Sequence, residues 1–230
     1  MTPSSIHQGH RERVRARYRN AGADSFMDYE LLEIILYYCN SQRDTNPLAH
    51  QLIQRFGRLK DVLDAPTKEL TNIKHVGEST AFFLQMLPDI CRRYYIQGQS
   101  STLDFSADDR GASFFIPYFL GRKQEVMYAA FLDRNFRILS CTLQYTGSAS
   151  AVEIHLLDLL KEAKYHEACY VILAHNHFTS TDPSLQDIHC TGMVYNTLKS
   201  ENVVLLDHMI VCDSKALSMR KSGHMNFLKR

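Results

Sequence analysis

The stretch Ala168-Cys169-Tyr170-Val171-Ile172-Leu173-Ala174-His175-Asn176-His177, with Asp187 ten residues beyond its end, decides the fold of the C-terminal half of this chain. Its apolar run predicts a buried β-strand that ends in two histidines spaced i, i+2. Alternate residues of an extended chain point the same way, so both imidazoles can meet one point at the strand's end. Asp187 falls at the start of the next helical pattern and can close on that point. Two His and one Asp leave a fourth tetrahedral position for water, which is the ligand set of a catalytic rather than a structural zinc. The competing explanation is coincidence among 11 histidines; the strand before the pair and Ser184-Leu185-Gln186-Asp187 after it weigh against that.

Composition bounds what the rest can be. The 230 residues suffice for one or two domains with a sizeable core, and 45% hydrophobic with 22% charged residues is ordinary for a soluble globular protein. Apolar runs such as Tyr170 to Ala174 are too short to span a membrane. Met1 to Gln8 lacks the apolar core of a signal peptide, so the expected compartment is the cytoplasm. Six scattered cysteines without a Cys-x-x-Cys pair read as reduced thiols. A net charge of +1 shows no general basic excess for nucleic acid. The local exception is Arg11, Arg13, Arg15, Arg17 and Arg19, either a solvated first helix or a phosphate-contacting arm.

Outward from the opening stretch, the texture divides in two. From Gly9 to Tyr95 it is helical. Leu31, Ile34, Ile35 and Tyr38 form one apolar face, and Asn46-Pro47 opens a second helix that Gly57 closes. A third apolar face is Phe83, Met86, Leu87 and Ile90. Ile73-Lys74-His75-Val76-Gly77 between helices resembles a helix-hairpin-helix turn, with His75 where the first glycine is usual. Gln97 to Thr102 is polar and breaks the pattern, which sets domains of 1–98 and 99–230. Beyond it the texture is α/β: a helix over Ala112–Leu120, a hairpin of Glu125–Leu132 with Phe136–Leu143, and a helix over Ala151–Ala163 with Ile154, Leu157 and Leu160 inward. The central strand, a helix over Ser184–Leu198 and a strand over Val203–Val211 follow.

At the start of the Ser184 helix, Asp182 reads as the N-cap and Pro183 as the first helical residue, which puts Ser184 and Asp187 on one face. Blander roles stay open for both: Ser184 as a cap, Asp187 as an acid that complements the helix dipole. A hydrolytic zinc also needs a base for its water, and Glu125, at the mouth of the strand Val126–Leu132, is the candidate. His189 and His208 are spare ligand candidates, each read first as a structural or surface histidine.

His175-Asn176-His177, Ser184-Leu185-Gln186-Asp187 and the upstream Glu125 together resemble the JAMM motif of MPN/JAB-domain metalloproteins. The His-Asn-His form and Leu206-Asp207-His208-Met209-Ile210-Val211 resemble the bacterial RadC family. So do Gly9-His10-Arg11-Glu12-Arg13, Asp28-Tyr29-Glu30-Leu31-Leu32, Asp44-Thr45-Asn46-Pro47 and Arg55-Phe56-Gly57 in the N-terminal half. The resemblance implies an α+β chain: a small helical N-terminal domain, then an MPN-type mixed sheet flanked by helices. It implies zinc on His175, His177 and Asp187, Glu125 as general base, and Ser184 polarising the scissile carbonyl or stabilising its oxyanion. Two departures stand out. Phe178 replaces the proline usual after the second histidine, and the six residues between His177 and Ser184 are one fewer than is usual. The shortened loop is expected to draw Asp187 away by a few ångströms, since a strand residue rises about 3.3 Å.

Three function classes follow. The first is a zinc-dependent hydrolase of peptide or isopeptide bonds, acting on a protein or peptide. The second is a DNA-associated protein, resting on the hairpin, the arginines and the family's traditional label of DNA repair, with the metal centre serving a nuclease or only structure. The third is an inactive MPN scaffold. No feature names a substrate or sets an oligomeric state.

Overall fold

The computed structural model describes residues 3–99, 110–147 and 152–226. The chain divides into two compact units, Met1–Cys91 and Arg92–Arg230. The first is helical: α1 (Pro3–Ala21), α2 (Asp28–Cys39), α3 (Asn46–Phe56), α4 (Leu59–Asp64), α5 (Thr67–Thr71) and α6 (Glu78–Gln97), which runs past the unit's edge. Pro47 sits in the first turn of α3, and Gly57 ends it at φ 102°, where a side chain would be strained.

The core of this unit joins Leu32 and Leu36 of α2 to Leu52, Val62, Leu70 and Leu84. The buried face of α2 is therefore Leu32, Glu33, Leu36 and Tyr37, on the opposite side from the expected one; Leu31, Ile34 and Ile35 are half-buried and Tyr38 is 71% exposed. The cause is Glu33, a charged residue that hydrophobic patterning assigns to solvent. Its carboxylate lies 2.9 Å from His10 Nε2 and accepts hydrogen bonds from the Tyr37 hydroxyl at 2.8 Å and the Asn46 amide at 2.8 Å. On α6 the buried residues are Thr80, Ala81 and Leu84, while Ile90 is exposed. Arg11 is neither a solvated residue nor a free arm. Its guanidinium donates to the carbonyls of Asn40, Ser41 and Arg43 and lies over the Tyr37 ring.

The second unit begins with α7 (Arg110–Phe115) and a 3-10 turn (Ile116–Phe119). Then come β1 (Val126–Leu132), β2 (Ile138–Thr146), α8 (Val152–Tyr165), β3 (Tyr170–Asn176), α9 (Leu185–Lys199), β4 (Val204–Cys212) and β5 (Lys215–Ser218). The five strands form one mixed sheet in the order β2-β1-β3-β4-β5, with β3 parallel to β4 and every other pair antiparallel. With its N-terminal helices and this sheet, the chain is α+β. On α8 the residues turned to the core are Leu156, Leu159, Leu160 and Ala163; Leu157, expected inward, is 67% exposed, and the side chain of Ile154 lies outside the described residues. No helix among the described residues is long and apolar enough to cross a membrane.

The sheet has a core on each face, which explains why β1 and β3 are continuous apolar runs rather than alternating ones. Met127, Ala129, Phe131, Val171 and Leu173 face α8 and α9, whereas Tyr128, Ala130, Ile172 and Ala174 face α7 and the 3-10 turn. Period two therefore carries His175 to the α9 side. β4 does not keep this alternation. Val171 pairs with Leu205 but Ile172 pairs with Asp207, so Leu206 is an extra residue, a β-bulge. Leu205 and Ile210 face α9, and Leu206, Met209 and Val211 face the opposite core. Without the bulge His208 would point away from α9; with it, His208 points at His175.

The Glu33 network carries a stability expectation. Glu33→Ala leaves the buried Tyr37 hydroxyl and the Asn46 amide without their acceptor, and hydrogen bonds to charged groups are worth about 1.5–3 kcal/mol. Urea unfolding of the full chain should show a loss of roughly 3 kcal/mol or more for the N-terminal transition. Glu69→Ala, on the exposed side of α5, should stay within about 0.5 kcal/mol.

Candidate metal centre

β3 and the first turn of α9 bring the opening residues together. The imidazoles of His175 and His177 meet with their Nε2 atoms 2.8 Å apart. Asp187 closes the group, Oδ1 at 3.1 Å from His175 Nε2 and Oδ2 at 3.3 Å from His177 Nε2. One ligand atom from each of the three residues lies within 4.8 Å of the other two. A tetrahedral metal with bonds of about 2.0–2.1 Å separates its ligands by about 3.3 Å. The spacing and the mixed nitrogen and oxygen donors fit a zinc-sized cation. The shortened loop does not displace Asp187 after all; residues 178–183 absorb the missing residue, and Phe178 is exposed within them.

Asp187 is held by its own helix end. The helix starts at Leu185, so Ser184, not Asp182, is the N-cap, and Asp187 is the third helical residue. Ser184 Oγ accepts from the Asp187 N–H at 3.1 Å, and Asp187 Oδ2 accepts from the Ser184 N–H at 2.7 Å, a reciprocal capping box that outcompetes the Asp182–Pro183 start. The Ser184 hydroxyl donates to the same Oδ2 at 2.7 Å. Its proton is thus directed at Asp187.

The electrostatics follow from burial and from these bonds. Burial pushes the Asp187 carboxyl up, but hydrogen bonds from His175, His177 and Ser184 and the adjoining imidazole charge outweigh it and hold it well below the usual carboxylate range. The hydrogen bond to Asp187 raises His177 against the opposing effect of burial, and Asp187 and Glu125 raise it further by their charge. The backbone of Ser180, in the short loop, raises it as well.

Glu125 is half-buried at the start of β1. The antiparallel register pairs Met127 with His175, so continuing it by two residues sets Glu125 opposite His177. Asn176, which the sequence argument left without a role, holds that approach. Its side-chain oxygen accepts from the Val126 N–H at 2.9 Å, its amide donates to the Gln124 carbonyl at 3.3 Å, and the two bonds bracket Glu125. His208, which the sequence reads first as a structural or surface histidine, sits directly behind His175. It is completely buried, with Nε2 at 2.8 Å from His175 Nδ1 and Nδ1 at 2.7 Å from Thr191 Oγ1. Burial drives its ring well below the usual imidazole range. The expectation of a structural histidine understates it, and only the bulge at Leu206, which no periodicity announces, puts it there. His189 is exposed and takes no part.

Comparison with known proteins places these features in a family. The model of the RadC-like JAB domain matches residues 105–224, and that of the UPF0758 N-terminal domain matches residues 7–82. A UPF0758 protein of Acinetobacter baylyi is 32% identical over 224 residues, covering 95% of this chain and 79% of the relative. One of Fusobacterium nucleatum subsp. nucleatum is 28% identical over 224 residues, covering 94% of this chain and 97% of the relative.

The depressed Asp187 has a measurable sign. Its folded pKa lies below the unfolded value of about 3.9, so its stabilisation is complete above that value and is lost as pH falls. With a chelator present, urea unfolding followed from about pH 6 to pH 2 should show a steeper acid loss for the wild type than for Asp187→Asn. Parallel profiles for the two proteins would contradict the ion-paired carboxylate.

Proposed function

The chain belongs to the RadC-like JAB domain family, and on that premise we propose that it is a zinc-dependent hydrolase of peptide or isopeptide bonds. The observation that carries this reading is the convergence of His175, His177 and Asp187 from two elements on one point, with Glu125 held beside it. When bound, zinc supplies a Lewis acid that polarises the scissile carbonyl and acidifies water.

The chain's own residues do the rest. His175, His177 and Asp187 are the three holders, and the capping box fixes the carboxylate before any metal arrives. Glu125 takes the proton from the attacking water and passes it to the leaving amine, which is the role its place opposite His177 suits. Asn176 positions Glu125 by holding the backbone on either side of it. Ser184 keeps Asp187 oriented and, once its hydroxyl turns from Oδ2, can donate to the developing oxyanion.

Metal analysis with variants tests this. Wild-type protein prepared with metal should carry about one zinc, the count a single three-ligand site holds, and His177→Ala and Asp187→Ala should carry none. Glu125→Gln should keep the zinc and lose hydrolysis of a peptide and isopeptide panel by a factor of about 100 or more. Folded wild type without zinc would overturn the reading in favour of an inactive scaffold.

A second reading, DNA association through the N-terminal unit, draws on one observation. His75 adopts φ 75°, the glycine conformation, at the hairpin position where the resemblance expects glycine. The full chain should then bind a labelled duplex with an affinity that falls steeply with salt, and Lys74→Glu should weaken it. No binding at low salt would remove DNA as the partner.

A further inference from the structure

Two large apolar side chains stand in water at the rim of the candidate metal centre, where the proposed hydrolysis gives them no part. Leu185 is 87% exposed, the highest figure for any large apolar side chain among the described residues, and Phe178 is 55% exposed. We propose that these two form an apolar lip that selects substrates carrying an aliphatic or aromatic side chain next to the bond presented to the centre. The lip names a substrate class for the hydrolase reading above and rests on it.

Contacts at the centre set where they stand. His177 Nε2 and Ser184 Oγ lie 3.3 and 2.7 Å from the same oxygen, Asp187 Oδ2. The loop between them therefore starts and ends at the centre. Phe178 follows His177 and Leu185 follows Ser184, each one Cα step of about 3.8 Å from a proposed site residue. Ser184 itself is exposed, so this side of the centre opens to solvent. On the other side, Glu125 lies opposite His177 and is preceded by exposed Lys123 and Gln124. One lip of the opening is polar and basic, the other apolar.

The fold needs neither side chain. α9 packs on the sheet through Cys190, Val194 and Leu198, and Leu185 lies on the opposite side of the helix from Val194. Ser184 and Asp187 close the cap between themselves, and a hydrophobic staple at this helix start would join Pro183 to Ile188, so Leu185 has no part in either. Phe178 opens the loop Phe178-Thr179-Ser180-Thr181-Asp182-Pro183, whose middle is polar, and it stands where the resemblance expects proline. A lone exposed apolar residue is ordinary on a protein surface. Two of them at the ends of one loop, each beside a proposed site residue, are a different matter. Ligand sites combine apolar contact area with a few polar groups that fix orientation. A metal ion gains nothing from such a rim, whereas a substrate side chain laid across it leaves water.

Two short fluorescein-labelled peptides test the lip. They differ only in the residues flanking one central amide: phenylalanine and leucine in the first, serine at both places in the second. Binding is read by anisotropy on the full chain carrying Glu125→Gln, supplied with zinc, which leaves the peptides intact. The apolar peptide should bind about 10- to 100-fold more tightly than the serine peptide. Leu185→Ser and Phe178→Ser should each cut that ratio about 3- to 10-fold, and Leu185→Met should keep it. Leu157→Ser, at another exposed leucine, on α8, should change nothing. Zinc content and unfolding temperature should match the parent's in every variant. With Glu125 intact, the lip variants should raise KM for the apolar peptide and leave kcat unchanged. Equal binding of the two peptides would overturn the lip, as would an unchanged ratio when Leu185→Ser and Phe178→Ser are combined. Self-association of the chain that Leu185→Ser abolishes, with both peptides bound alike, would give the rim to a second copy and overturn it too. Selective binding without cleavage of either peptide would remove the hydrolase reading and leave the lip standing; cleavage of both with equal KM would do the reverse.

Discussion

Strand β3 is buried on both faces, and every polar atom on it must find its partner inside the protein. That constraint organises the C-terminal unit. Leu173 and Ala174 need only packing, but His175 and Asn176 end the same buried strand with four polar side-chain atoms between them. Three other elements, β1, β4 and α9, supply the partners. Asn176 is satisfied by the backbone at the start of β1, and His175 by His208 behind it and by His177 and Asp187 in front. A buried polar group left unpaired costs about 1–3 kcal/mol, so none of these partners is decorative.

Much of this was legible in the residues. Apolar runs and turn signals mark β1, β3, β4 and α9, and the i, i+2 spacing of the histidines correctly puts both imidazoles on one side. Reasoning from periodicity failed where a polar residue is buried or where the period itself breaks. On α2 the buried face, which includes Glu33, is opposite to the one the pattern picks, because a hydrophobic pattern treats an acid as solvent-facing. The bulge in β4 reversed which residues face α9, and with it the role of His208. The short strand β5 has too few apolar residues to stand out. Helix starts depended on reciprocity: Asp182-Pro183 is a sound local signal, yet Ser184 and Asp187 satisfy two backbone donors at once.

In the N-terminal unit, segments that resemble a family pattern separately are one structure. His10 follows Gly9, Glu33 follows Leu31-Leu32, and Asn46 belongs to Asp44-Thr45-Asn46-Pro47; all three side chains meet at the Glu33 carboxylate. Thr45 adds a bond to the Glu33 carbonyl at 3.3 Å. Asp28 reaches across to accept from the Leu59 N–H at 2.8 Å, at the start of α4. Of the arginine row, Arg11 clamps three carbonyls and Arg17 pairs with Glu30 while lying over Phe26. Those two guanidinium groups are committed to holding the helices together, so five basic residues in the sequence overstate the charge this surface offers a phosphate.

The shortened loop shows how a capping motif can protect a functional position. Loop length would govern Asp187 if the loop alone placed it. Instead the capping box ties Asp187 Oδ2 to Ser184, so the two move as one rigid helix start. α9 packs on the sheet through Cys190, Val194 and Leu198, which fixes where that start lies. The loop then has only to connect two points already set by other forces, and closing a slightly shorter loop changes little in free energy. Both carboxylate oxygens face the histidines: Oδ2 accepts from Ser184 and also lies 3.3 Å from His177, and Oδ1 faces His175. A single acid thus serves as helix cap and as the third donor, and removing a residue from the loop before it leaves both roles intact.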